Sequence, residues 1–125
     1  YAEEKGWEAD FYMCCFYNLA RRSKAAPATD RRAYAGETYP AEDPLRMTAT
    51  MRRVGKPCIG FKILAASRNC ADPGSTEEAF RFAFGHIKPI DIVDVGMFQK
   101  HRNQVKENAD LVRKILAGSD ATSAR

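Results

Sequence analysis

The sequence predicts an α/β protein on parallel strands, specifically the C-terminal three β/α units of a (β/α)8 TIM barrel. Three observations predict it. Residues 9–17, 57–66 and 91–98 are nearly continuous apolar runs, the pattern of strands covered on both faces. Each is followed by a segment with helical period and helix-start residues. The order β-α-β-α-β-α then calls for parallel strands joined by crossovers. Three parallel strands alone leave both sheet edges open. The chain is therefore expected to be the C-terminal portion of a larger barrel, with the N-terminal remainder of that barrel as its first partner, and to be inactive without it.

The first strand is Ala-Asp-Phe-Tyr-Met-Cys-Cys-Phe-Tyr at 9–17. After it, residues 19–42 make a long βα loop holding Arg21, Arg22, Lys24, Arg31, Arg32, Tyr34, Glu37, Tyr39 and Glu42. Such loops usually have about 2–6 residues, and in a barrel they lie on the face that carries active sites. Residues 23–36 read equally as part of a site or as a disordered Ala/Pro/Arg insertion. The first helix opens at Asp43-Pro44, with Asp as N-cap and Pro at the first helical position. It continues through Leu45, Met47, Met51 and Val54 to Gly55.

The second strand, at 57–66, is followed by a helix opening at Ser75-Thr-Glu-Glu78, a capping-box spacing. Its apolar stripe is Ala79, Phe80, Ala83, Phe84 and Ile87. The third strand is 91–98. The third helix begins within 101–105, carries Val105, Ala109, Val112 and Leu116 on one stripe, and is expected to end at Gly118 as C-cap. The domain is thus 1–118, and 119–125 is a small, polar, flexible tail.

Strand side chains alternate with period two. Placing the all-apolar set Ile59, Phe61 and Ile63 under the helices turns Cys58, Gly60, Lys62 and Leu64 inward. In the third strand Val93, Val95 and Met97 face the helices, and Ile92, Asp94 and Gly96 face inward. In the first, Phe11, Met13 and Cys15 face the helices, and Tyr12, Cys14, Phe16 and Asn18 face inward. Lys62 and Asp94 then become inward charges on neighbouring strands. They read either as a buried ion pair or as catalytic candidates, Lys62 binding an anionic or carbonyl group. A Schiff-base role for Lys62 is a narrower version of the second reading. Ser67-Arg68-Asn69 and Gly96-Met-Phe-Gln-Lys-His-Arg102 follow the last two strands. These are the positions where barrels bind phosphate, with Arg68, Lys100 and Arg102 available for charge-assisted bonds.

With 125 residues, 45% apolar and 29% charged, the chain has room for one ordinary core. Its net charge of +4 is small and scattered among acidic residues, so no nucleic-acid partner is expected. No run approaches the roughly 18 apolar residues of a membrane span, and no signal-peptide pattern is readable at Tyr1-Ala-Glu-Glu4, so no membrane partner is expected. Cys14, Cys15, Cys58 and Cys70 form no CxxC, and neither His86 nor His101 has ligand spacing to them. They read as reduced thiols of a cytoplasmic protein, with no metal site.

Asp10-Phe-Tyr-Met-Cys-Cys-Phe-Tyr-Asn18 with Arg21-Arg22, Lys56-Pro-Cys-Ile-Gly-Phe-Lys-Ile-Leu-Ala-Ala66 with Arg68-Asn69, and Asp91-Ile-Val-Asp-Val-Gly-Met97 together resemble the C-terminal part of a group of uncharacterised bacterial TIM-barrel proteins. That group is distantly similar to aldo/keto reductases, and the resemblance spans residues 5–117. It implies a small-molecule enzyme of oxidoreductase type, with a ligand over Asn18, Arg21, Arg22, Lys62, Arg68, Asn69 and Gly96. From Gly96 followed by Gln104-Val-Lys-Glu-Asn108, it also implies NADPH as cofactor. Lys100 would approach the 2′-phosphate, and Glu107 and Asn108 the adenine. The superfamily's catalytic Asp, Tyr, Lys and His belong to earlier strands, so Lys62 is not that lysine. The other implied reading is a non-catalytic barrel relative acting as a binding or interaction protein.

Overall fold

The computed structural model describes residues 1–19 and 39–123, with 119–123 as backbone alone. Arg21, Arg22 and most of the 19–42 loop lie outside the described residues, as does the very end of the tail. The elements are β1 (Tyr12–Cys15), α1 (Asp43–Arg53), β2 (Cys58–Phe61), α2 (Pro73–His86), β3 (Ile92–Asp94) and α3 (Gln104–Ser123). The strands form one sheet in the order β1-β2-β3, and both pairings are parallel. The α/β class, the element order and the parallel sheet are as the sequence predicts.

Register decides which side chains share a face. Cys14 stands opposite Gly60, and Gly60 opposite Val93. Met13, Ile59 and Ile92 form the adjacent row, on the other face. The first face carries the core, in which Phe16 and Cys58 meet Met51 of α1, Phe80 and Ala83 of α2 and Ile115 of α3. The second face is open: Phe11, Met13 and Ile92 are 51%, 55% and 55% exposed.

This reverses the expected facing of the first two strands. Tyr12, Cys14 and Phe16, not Phe11, Met13 and Cys15, pack against the helix-side core. Cys58 and Gly60, not Ile59 and Phe61, lie beneath the helices. The physical reason is space. A Cβ on Gly60 would lie 2.6 Å from Phe16 Cε1 and 3.4 Å from Met51 Cε. Large neighbours fill the layer here, so the strand contributes its smallest residues. Ile63 does reach the core, 3% exposed, because the strand has already ended. The third strand keeps its expected facing, with Val93 and Val95 against the core and Asp94 exposed.

Three helix boundaries also differ. Glu42 is the N-cap of α1, and Asp43 is its first residue. Asp43 is 4% exposed and accepts the Asn18 backbone N–H at Oδ2, 3.0 Å away, so it ties the end of β1 to the helix instead of capping its own. Asp72 caps α2 and forms the capping box with Ser75, one turn before the expected Ser75–Glu78 pair; Pro73 fits the first turn because its missing N–H is no loss there. α3 does not stop at Gly118 but continues to Ser123.

At the amino ends of β2 and β3 a buried ion pair joins three elements. The Asp91 side chain is fully buried, and Lys88 Nζ lies 2.8 Å from its Oδ1. Asp91 also accepts the Cys58 N–H at 2.8 Å and the Lys88 N–H at 2.9 Å. Lys88 Nζ donates as well to the carbonyl of Met51, near the end of α1, at 2.6 Å. Buried charges are tolerated only when hydrogen-bonded this completely.

Candidate functional site

Parallel strands with helices on their return paths leave a crevice beyond the strands' carboxyl ends. Two clefts open there. The first, of about 530 Å³, lies past β2 and β3 and against the start of α3. Lys62, Asp94, Gly96, Glu107 and Asn108 all line it. The second, of about 500 Å³, lies past β1 and β2 and against the starts of α1 and α2. Arg68 and Asn69 line this one instead. The expected ligand set is thus divided between two places. Asn18 and Lys100 line neither cleft, and Asn18 is engaged through its backbone with Asp43.

The wall between the clefts is the segment after β2. Lys62, Ala65, Ala66 and Ser67 all have positive φ, at 61°, 49°, 50° and 74°. Each non-glycine residue held there costs about 1–2 kcal/mol. Backbone bonds from Ala65 N–H to the Lys62 carbonyl (2.9 Å) and from Asn69 N–H to the Leu64 carbonyl (3.1 Å) hold the turn. Its left-handed winding sends Lys62, Leu64, Ala66 and Ser67 to the first cleft, and Ile63, Ala65, Arg68 and Asn69 to the second. Strain of this kind collects where a site needs a particular geometry.

In the first cleft, the Asp94 side chain makes no hydrogen bond or ion pair with a described residue, and Lys62 Nζ lies 5.9 Å from the centre of the Tyr39 ring. The anticipated Lys62–Asp94 ion pair is not formed, although both residues line the same space. At the rim, Arg102 and Glu107 form a two-pronged pair, Nε to Oε1 at 3.2 Å and Nη2 to Oε2 at 2.7 Å. Bonding to Glu107 raises the Arg102 pKa further above its ordinary value. The pair is exposed and therefore weak, so a stronger anion can displace it. Asn103 Oδ1 accepts the Lys106 N–H at 3.1 Å, the N-cap bond of α3. Gln104 Oε1 accepts the Phe98 N–H at 2.7 Å, closing the loop over the cleft.

Sequence reasoning assigned no role to Gln104, Thr76 or Phe98, which line the first cleft. Nor did it give Tyr39 its place: the Arg68 guanidinium stacks 4.0 Å from the Tyr39 ring centre. The Arg102–Glu107 pair had no sequence signal either, since its i,i+5 spacing across the start of α3 falls outside the i,i+3 and i,i+4 pairs that a helix brings together.

Among the described residues no helix is long and apolar enough to cross a membrane. No group of three or more His, Cys, Asp or Glu among them can hold a metal ion. No family model, curated protein or solved structure matches the chain.

Proposed function

We propose that the chain is the C-terminal part of a TIM-barrel small-molecule enzyme of aldo/keto reductase-like type, with a nicotinamide dinucleotide bound at the first cleft. One observation carries the reading. The cleft lies past the carboxyl ends of two parallel strands and against the start of the helix that follows, and Gly96, Glu107 and Asn108 line it together. Arg102 takes the place proposed for Lys100. It stands at the start of α3, where a phosphate gains both the guanidinium and the positive end of the helix dipole. The open sheet face, with Phe11, Met13 and Ile92 exposed, is where the remaining barrel strands close over an interior.

The test is titration of the full-length protein with NADPH, followed by nicotinamide fluorescence. Saturable binding is expected, and Arg102→Glu should weaken it roughly tenfold or more. Binding that ignores Arg102→Glu removes the dinucleotide site. Absence of any binding favours a non-catalytic barrel relative that serves as a binding or interaction protein.

A further inference from the structure

The second cleft has a different chemistry from the first. Its floor is apolar, formed by Phe16, Tyr17, Ile63 and Phe82. At one side stands Arg68, held in three ways. Its guanidinium carbon lies over the Tyr39 ring, 4.0 Å from the ring centre. Its Nη1 donates to the Ala65 carbonyl at 3.1 Å and the Ala66 carbonyl at 3.5 Å. Those carbonyls belong to residues in the left-handed region, at φ 49° and 50°. The strained turn therefore fixes one end of the guanidinium, while the Nε–Nη2 edge has no partner among the described residues. Tyr39 is itself steadied by an edge-on contact with Tyr17, centres 5.0 Å apart, and the Tyr17 hydroxyl accepts from Asn69 Nδ2 at 3.2 Å.

We infer that this second cleft is a binding site for an organic monocarboxylate, the Arg68 edge pairing with the carboxylate and the apolar floor taking the body of the molecule. A guanidinium whose plane and one amino group are already fixed loses little freedom on pairing, and its remaining edge matches a carboxylate's two oxygens. Glu78 also lines the cleft and has no partner among the described residues. Its negative charge disfavours a dianion, so the site prefers a monocarboxylate over phosphate. The site is separate from the dinucleotide cleft and does not depend on that reading.

The experiment is titration of the full chain with 3-phenylpropanoate, followed by amide chemical shifts, with inorganic phosphate as a second probe. Saturable shifts at 65–69 and Tyr39 are expected, with phosphate binding more weakly. Arg68→Lys keeps the charge but removes the two-pronged edge, and should weaken 3-phenylpropanoate binding roughly tenfold. Glu78→Gln, an exposed change that leaves the fold alone, should strengthen phosphate binding severalfold. Affinity unchanged by Arg68→Lys, shifts confined to residues of the first cleft, or phosphate binding tighter than 3-phenylpropanoate in the unaltered chain would each overturn the assignment.

Discussion

The two ends of the sheet are built on opposite terms. At the amino ends, the Asp91 side chain is fully buried, and its carboxylate takes bonds from Cys58, the Lys88 backbone and the Lys88 ammonium. The same ammonium reaches the Met51 carbonyl, so one ion pair ties α1, β2 and β3 together. At the carboxyl ends, four non-glycine residues hold positive φ, the Asp94 side chain has no polar partner among the described residues, and two clefts open. The contrast teaches where the chain gains stability and where it gives stability up. Barrel-like α/β proteins make the same division, with stability at the amino face and binding at the carboxyl face. At the amino end the Tyr12 hydroxyl is buried without a hydrogen-bond partner among the described residues, and burial raises its pKa.

The largest expected effect lies at the amino end. Asp91→Ala leaves the Lys88 ammonium and the Cys58 N–H without their shared acceptor, and should cost about 3–5 kcal/mol. Urea unfolding of the whole protein measures it. A loss under about 1 kcal/mol would mean that the pair behaves like a surface pair and that the contrast is false.

The carboxyl end should respond with the opposite sign. Ala66→Gly relieves a positive φ at an exposed position. It should stabilise the protein by about 0.5–1 kcal/mol, the strain relief less the added freedom of the unfolded glycine. The same change should loosen the Arg68 guanidinium, because the Ala66 carbonyl is one of its acceptors. Stability that rises while binding at the second cleft weakens sharpens the comparison. Stability that falls shows the turn to be structural.

The smallest effect concerns alkaline pH. Burial, and next the neighbouring Cys58 thiol, push the Cys14 thiol up from 9.0 to about 12. Between those values the folded chain holds a proton that the unfolded chain has released. The associated stability is complete below about pH 9 and is lost as pH rises toward about 12. Cys14→Ser should flatten that decline in a pH series of thermal midpoints.

The frame of the molecule was legible because it rests on local signals. Apolar runs marked the strands, Pro44 and the Ser75 region marked helix starts, and a β-α alternation implies parallel pairing. What escaped depends on contacts distant in sequence. The facing of β2 was inverted because a row of Ile59, Phe61 and Ile63 looks like the buried row. Yet Phe16 and Met51 already fill the space above Gly60. Alternation also fails at Lys62, whose positive φ ends the strand's phase, and no sequence period announces that. Lys88 and Asp91 carry no motif; their importance comes from Cys58 and Met51, more than thirty residues away. Of the expected site residues around α3, Gly96, Glu107 and Asn108 converge in one cleft because they are near in sequence, whereas Lys100 does not line it. Arg68 and Asn69 go elsewhere because the left-handed turn rotates them away from Lys62.

Amide hydrogen exchange on the whole protein, with and without NADPH, tests the division of labour most directly. The Cys58 and Lys88 amides, both bonded to buried Asp91, should exchange only by global unfolding. The amides of 65–68 and Phe98 should exchange by local opening, and NADPH should slow exchange around Phe98 and the start of α3. Fast exchange at Cys58 and Lys88, or protection by NADPH centred on them instead of on the carboxyl ends, would contradict the account.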